Sequence, residues 1–368
     1  MTTTRISRRT GVALGVAAAL VALPAAQQSA SAVGLGHAPA ASPGATLPAT
    51  GNAIGWTAAV QHQTGRDDDH ARLVMVSPAG GIVQVGDVSN DARIEDVTLG
   101  GRYVITAREV FGSTSQGDQT RVTAWDAHTR KPYYFRLSGT GYTLAFAGNG
   151  ILVAPASGKG VTVRTFAGTV RTRYADLPVA TGGPDGIAVS PDGRTLLEGA
   201  KQLYLRDAAT GKVLKSVNPP PAAANGNCSV ARSWTPESFE VQCSGNGLGD
   251  GRTYRVGSDG TTTTLVGTGE ASGGAWPTSA GVVAGTDGEI RQGPFVLHAS
   301  TGNRTLPLDY YADLTGSRGT VLTVASDIAN GGTISTYDVN SGARKTLAGS
   351  ATTGGGLYFG GVTIDGDR

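Results

Sequence analysis

Asp67, Asp68, Asp69 and His70 form the densest cluster of ionisable side chains in this 368-residue chain. Asp118, Asp250 and Asp327 stand in three further polar, glycine-containing stretches. Several carboxylate oxygens brought together are what a hard cation such as Ca²⁺ requires. The D-x-D-x-D-G spacing of a calcium loop is absent, so a solvated acidic surface is the plainer reading, and no organic cofactor is implied. Other chemistry has little material. The five histidines (His37, His62, His70, His128 and His298) are scattered. No G-x-S-x-G elbow, H-E-x-x-H pair or G-x-x-x-x-G-K-[ST] loop occurs. Two aromatic clusters, Tyr133-Tyr134-Phe135 and Tyr310-Tyr311, have the surface to stack on a ligand or to fill space between layers.

Cys228 and Cys243 are the only cysteines. The residues between them read as a hairpin turning at Thr235-Pro236, and the two cysteines stand equally far from that turn. Residues opposed at a non-hydrogen-bonded site lie close enough for a disulfide. Metal binding would need further ligands nearby, and redox catalysis would need C-x-x-C. A bridge closing so short a loop contributes about 3 kcal/mol in the chain-entropy model.

Charge and leader set the compartment. The formal charge is +2, from 30 basic and 28 acidic residues. Arg5, Arg8 and Arg9 are the only charges in residues 1–32; without them 27 basic residues face 28 acidic ones, a net of −1. A near-neutral mature chain has no electrostatic footprint for nucleic acid. Residues 1–32 have the three parts of an export signal: the arginines, the apolar run Gly11 to Leu23, and Ala30-Ser31-Ala32 as cleavage site. Ser7-Arg8-Arg9 also resembles the twin-arginine export motif, so secretion is expected by one of two routes. The apolar run is short for a membrane span, and none is expected after cleavage. Residues 33–52, rich in Ala, Pro and Gly, read as a disordered linker.

The elements that must position these residues are short strands. Only 16% of residues are charged, 56 are Gly, and no long helical period appears, which points to an all-β chain with many turns. The clearest stretch runs from Pro184 to Val217: three alternating runs joined by tight turns at Ser190-Pro191-Asp192-Gly193 and Ala208–Lys212. Turns like the second recur, ending at 80, 130, 168, 211, 260, 302 and 342, with spacings of 38 to 50 residues. A four-stranded blade takes about 40–50 residues. A second turn recurs independently, at Gly100-Gly101, Asn149-Gly150, Asp192-Gly193, Pro236-Glu237, Ala280-Gly281 and Arg318-Gly319. Gly, Asn and Asp tolerate the positive φ of tight hairpins. The count predicts a seven-bladed β-propeller over 53–368, made of four-stranded antiparallel blades. The missing inner strand falls at Leu357–Ile364 and would pair near Ile54–Val60, so both chain ends close the ring and no sheet edge is left free.

Ala188-Val189-Ser190-Pro191-Asp192-Gly193-Arg194 resembles the repeats of TolB-like and WD40-like propellers. Cys228 to Trp234 with Cys243 resembles a blade of the secreted TolB-like propellers common in actinobacteria. Trp-Asp occurs once, at Trp125-Asp126, whereas a strict WD40 protein repeats it. The resemblance implies an exported, monomeric scaffold that is non-catalytic and binds a protein or cell-wall polymer. The alternative is a secreted hydrolase or lyase acting on glycans or lactones, with carboxylates drawn from separate blades. Both tight turns of a blade lie on one rim. The long segments carrying Asp67–His70, Asp118, Asp250 and Asp327 lie on the other, and function is expected there.

Overall fold

The structure is a computed structural model. It describes residues 45–48, 53–63, 70–98, 100–112, 117–155, 159–175, 186–199, 202–220, 228–243, 252–266, 275–285, 294–310, 312–326 and 332–349, and the backbone of 356–363. All belong to one compact unit, Ala38–Arg368. The expected leader (1–32) and most of the expected linker lie outside the described residues. Within the linker span, Ala45 and Leu47 pack against the propeller core. No described helix is long and apolar enough to cross a membrane.

Seven four-stranded antiparallel sheets form the ring. Blade 1 contains β1 (Thr57–Gln63), β2 (Ala71–Val76) and β3 (Ile82–Val88). Blade 2 is β4 (Arg93–Val97), β5 (Tyr103–Val110), β6 (Gln119–Asp126) and β7 (Lys131–Ser138). Blade 3 is β8 (Tyr142–Ala147), β9 (Gly150–Pro155), β10 (Thr162–Arg164) and β11 (Val170–Arg173). Blade 4 is β12 (Ile187–Val189), β13 (Thr195–Gly199), β14 (Leu203–Asp207) and β15 (Val213–Val217). Blade 5 is β16 (Cys228–Thr235), β17 (Ser238–Cys243), β18 (Arg252–Gly257) and β19 (Thr262–Val266). Blade 6 is β20 (Ala275–Thr278), β21 (Gly281–Gly285), β22 (Phe295–Ala299) and β23 (Gly302–Thr305). Blade 7 is β24 (Asp313–Arg318), β25 (Val321–Ala325), β26 (Ile334–Asp338) and β27 (Arg344–Ala348). The last strand, β28 (Gly356–Thr363), pairs with β1 and gives blade 1 its fourth member. The turn count therefore predicts the blade number correctly.

One detail differs from the sequence reading. The middle run of Pro184–Val217 is two strands, β13 and β14, paired to each other. Gly199 has φ +136°, and a Cβ there would stand 2.0 Å from the Gln202 carbonyl oxygen. An unbroken alternating run hides this reversal, because its only local mark is one glycine.

Burial follows position in the blade. Second strands are flanked by neighbouring blades on both faces, so β9 and β25 are buried along nearly their whole length. Fourth strands lie at the outside, and β23 is exposed throughout. The third-to-fourth pairing slips by one residue in blades 1, 3, 4, 5 and 7. Such bulges sharpen the twist and break a flat outer edge.

Aspartates fasten the outer turns. Asp126, Asp207 and Asp338 each end a third strand, and the Oδ1 of each accepts the backbone N–H groups two and three residues on. Hydrogen bonding, led by the Ser341 N–H, holds the Asp338 carboxyl down at about 2. Burial alone would raise Asp126, but donation from Thr129, Arg102 and His128 outweighs it and lowers the group.

The core is divided among the joints between blades. Seven clusters of buried apolar residues occur among the described residues, one for each joint, including the joint of blade 7 with blade 1. At the joint of blades 1 and 2, a Cβ on Gly86 would fall 2.1 Å from the Trp125 ring. Only glycine lets the indole come this close to β3.

Candidate functional site

The sequence-predicted site residues fare unevenly. Asp67, Asp68, Asp69, Asp250 and Asp327 lie outside the described residues. His70 is exposed just before β2. Asp118 is exposed too, and it holds its own loop together: Oδ1 accepts the Gly112 N–H at 3.0 Å, and its carbonyl accepts the Gly139 N–H at 2.6 Å. Among the described residues, no group of three or more His, Cys, Asp or Glu is placed to hold a metal. The cysteines do come together. Cys228 and Cys243 are opposed in the first hairpin of blade 5, with Cα atoms 4.0 Å apart, and form a disulfide.

A loop-rim network escapes the sequence reading. Arg93 on β4 reaches Glu95 at 3.4 Å and Glu109 at 3.1 Å, while Arg108 meets Asp91 at 2.8 Å. Burial pushes the Glu95 carboxyl up. The Gly141 N–H, donated from the start of blade 3, holds Glu109 down. The arrangement ties blade 2 to blade 3. Its sequence signal is faint: Arg93 and Glu95 are two apart on one face of a strand.

A large concavity opens on the turn rim, the face that turn chemistry marks as plain. It has a volume of about 740 Å³ and lies where the inner turns of blades 5, 6 and 7 meet the outer turn of blade 5. Inner turns bond directly between blades 3 and 4, Gly148 N–H to Gly193 O at 2.7 Å, and at the cleft itself between blades 6 and 7, Ser279 N–H to Gly319 O at 2.9 Å. Trp234, Glu237, Ser238, Arg255 and Pro277 line the cleft. The Arg255 guanidinium lies 5.6 Å from the centre of the Trp234 ring. Among the described residues, Ser238 Oγ is buried with no hydrogen-bond partner.

The reason for the cleft lies in the register. At the joint of blades 2 and 3, Tyr103, Tyr133, Phe146 and Phe166 pack together, with Tyr103 and Phe166 centroids 4.8 Å apart. Tyr103 begins the second strand of its blade and pairs with the last residue of the third; Ser238 does the same in blade 5. Phe146 stands one step in from the pair that closes the first hairpin of blade 3; Pro277 does so in blade 6. Phe166 is the second residue of the outer turn of blade 3, two before Gly168 at φ +87°; Ser300 is the second in blade 6, two before Gly302 at φ +121°. Three rings are thus replaced by Ser, Pro and Ser.

Polar groups hold the floor. The backbone of Ala275, where blade 6 begins, is gripped on both sides: its N–H donates to Glu240 Oε1 at 3.1 Å, and its carbonyl accepts the Trp234 indole N–H at 3.1 Å. Glu240 is fully buried. Arg232 Nε lies 2.9 Å from its other oxygen, close in distance but not aligned as a hydrogen bond, and Gln242 donates to Oε1 at 2.8 Å. Arg232 in turn lies over Trp276 of blade 6, 4.4 Å from the ring centre.

No family model and no curated protein matches this chain. Solved structures do. The chain is similar to TolB from Acinetobacter baumannii, at 15% identity and TM-score 0.47, over 85% of this chain and 67% of that one. It is similar to BamB from Moraxella catarrhalis, at 14% identity and TM-score 0.45, over 79% of this chain and 87% of that one. It is also similar to dipeptidyl peptidase 4 from Porphyromonas gingivalis, at 12% identity and TM-score 0.43, over 78% of this chain and 54% of that one. Likeness at this level concerns architecture, and no role is taken from it.

Proposed function

We propose that this chain is an exported, non-catalytic propeller that binds a protein or cell-envelope partner through the cleft between blades 5 and 6. The observation that carries this reading is the cleft itself. Its volume falls in the range of ligand sites, about 300–1,000 Å³, and buried polar groups without partners are rare in settled structures. The disulfide supports an oxidising compartment, as the leader reading does. The acidic loop residues Asp67–His70, Asp118, Asp250 and Asp327 remain our proposal for a second contact surface on the opposite rim.

The test is capture from culture fluid and cell wall with the full chain as bait, followed by direct binding of whatever is enriched. A Ser238→Tyr variant, which refills a ring position, should lose the partner. Enrichment of nothing, together with turnover of a glycan or lactone panel, would replace this reading by the hydrolase or lyase one.

A further inference from the structure

We infer that the cleft between blades 5 and 6 recognises a peptide segment bearing a carboxylate beside a cationic residue, with Arg255 as the anion-binding group. This rests on the reading of the cleft as a binding site and names the chemistry of its occupant.

Arg255 is exposed on β18, where its backbone stands in register with Glu240 and Thr263, and its guanidinium makes no hydrogen bond or ion pair to another described residue. The Trp234 indole beneath it holds the guanidinium in place before any ligand arrives. A planar fork fixed in this way loses less freedom on binding a carboxylate, and it matches the two carboxylate oxygens in geometry. Trp234 is itself locked by its indole N–H to Ala275 and is 5% exposed. The cation therefore rests on a rigid support. Ser238 Oγ adds a hydroxyl with unused donor and acceptor capacity.

The remaining lining decides between classes of anion. Glu237 is exposed at the same cleft with no side-chain partner among the described residues, and Asp259 lines it as well. Hydrogen bonds led by the Thr261 N–H hold Asp259 down, so it is ionised near neutrality. Glu237 and Asp259 set two carboxylates beside the Arg255 guanidinium, with the Lys215 ammonium at the Asp259 turn, and such alternating charge disfavours a polyphosphate or polyuronate chain. They suit a segment in which one negative group is flanked by a positive one. Stacking on sugars needs an open aromatic face, and here the Trp234 face is covered by Arg255. Pro277 and the Trp234 edge leave an apolar wall, and the volume of about 740 Å³ accommodates several residues.

The experiment uses fluorescein-labelled, end-blocked hexapeptides with one glutamate beside one lysine, moved through every position, against the same set with glutamine for glutamate. Fluorescence polarisation on the full chain is expected to show glutamate peptides binding about tenfold more tightly than their glutamine partners, as a charge-assisted hydrogen bond allows. Arg255→Gln should erase that difference. Glu237→Gln should keep it while removing the preference for the adjacent lysine. Equal binding of the two sets, or an unchanged preference in Arg255→Gln, overturns the inference. So does binding of a hexauronate or polyphosphate where no peptide binds. If the chain captures a partner that Arg255→Gln holds equally well, the scaffold reading stands and this assignment falls.

Discussion

The joint of blades 2 and 3 and the joint of blades 5 and 6 occupy like positions in one ring, yet they are built differently. The first buries ten apolar side chains among the described residues, is plugged by four aromatic rings on the turn rim, and is also bonded across by two carboxylates of blade 2, Asp96 accepting the Phe146 N–H and Glu109 the Gly141 N–H. The second buries three, Trp234, Ala275 and Ala284, and relies on a buried carboxylate that grips the next blade. Apolar packing needs no partner geometry and leaves no room. A polar clamp fixes two backbones at a set distance without filling the space above them. A repeat fold thus acquires a cavity by exchanging rings for small residues at a few register positions, while its strands stay where they were.

The largest test removes the clamp. Glu240→Ala leaves the Ala275 N–H without its acceptor and Arg232 without its counter-charge, and unfolding in denaturant should show a loss of about 3 kcal/mol or more. Glu109→Ala, which cuts the exposed network of the other joint, should cost less than about 1 kcal/mol. Equal losses would break the comparison. Next comes the staple of blade 5. Replacing both cysteines by alanine should destabilise the chain by about 3 kcal/mol, measured the same way. Blade 2 has no such bridge, and reducing agent should leave its amide exchange least affected.

A third pair of variants swaps the joints. Phe166→Ser should open the joint of blades 2 and 3 at a cost of about 2 kcal/mol, less than a fully buried ring because Phe166 is half-exposed. Ser238→Tyr should close the other joint with a change within about 1 kcal/mol. Ligand binding lost in Ser238→Tyr but kept in Phe166→Ser would sharpen the assignment.

The smallest expected effect is shared by both regions. Asp126 of blade 2 and Asp259 of blade 5, with Asp207 and Asp338, have carboxyls held below their ordinary values. A depressed carboxyl contributes stability that is complete above its unfolded pKa and is lost as pH falls through the folded one. Melting temperature should therefore fall below about pH 4, and Asp338→Asn should flatten that limb. Glu95 acts in the opposite sense. Burial raises it, so its charged form is disfavoured in the fold, and stability should fall slightly as pH rises through its folded value. A Glu95→Gln variant that left the slope above the ordinary carboxylate range unchanged would remove it as the cause.

Much of the fold is legible in single residues. Gly80, Gly168, Gly211, Gly260, Gly302 and Gly342 all adopt positive φ at the outer turns, and that demand is local, so a turn can be read without its neighbours. The cysteine pair is legible for a similar reason, since a hairpin fixes its own register. The aromatic run is only half legible. Tyr133 and Phe135 share a face, and Phe135 is buried, while Tyr134 between them is 67% exposed. Alternation separates these faces, but it does not say which one meets another blade.

By itself the chain of amino acids determined how many blades there are, where their inner and outer turns fall and which cysteines join, because every one of these is set within one hairpin. The tertiary structure alone decided where the ring is open. Ser238, Pro277 and Ser300 are unremarked small residues in their own strands and turns. Ser238 and Pro277 line a cleft, and Ser300 stands at a position that holds a ring elsewhere, but this shows only when blades 5 and 6 are laid side by side and compared with the rings at Tyr103, Phe146 and Phe166. Whether space is filled depends on side chains from two separate sheets, and no local pattern in either one records the other.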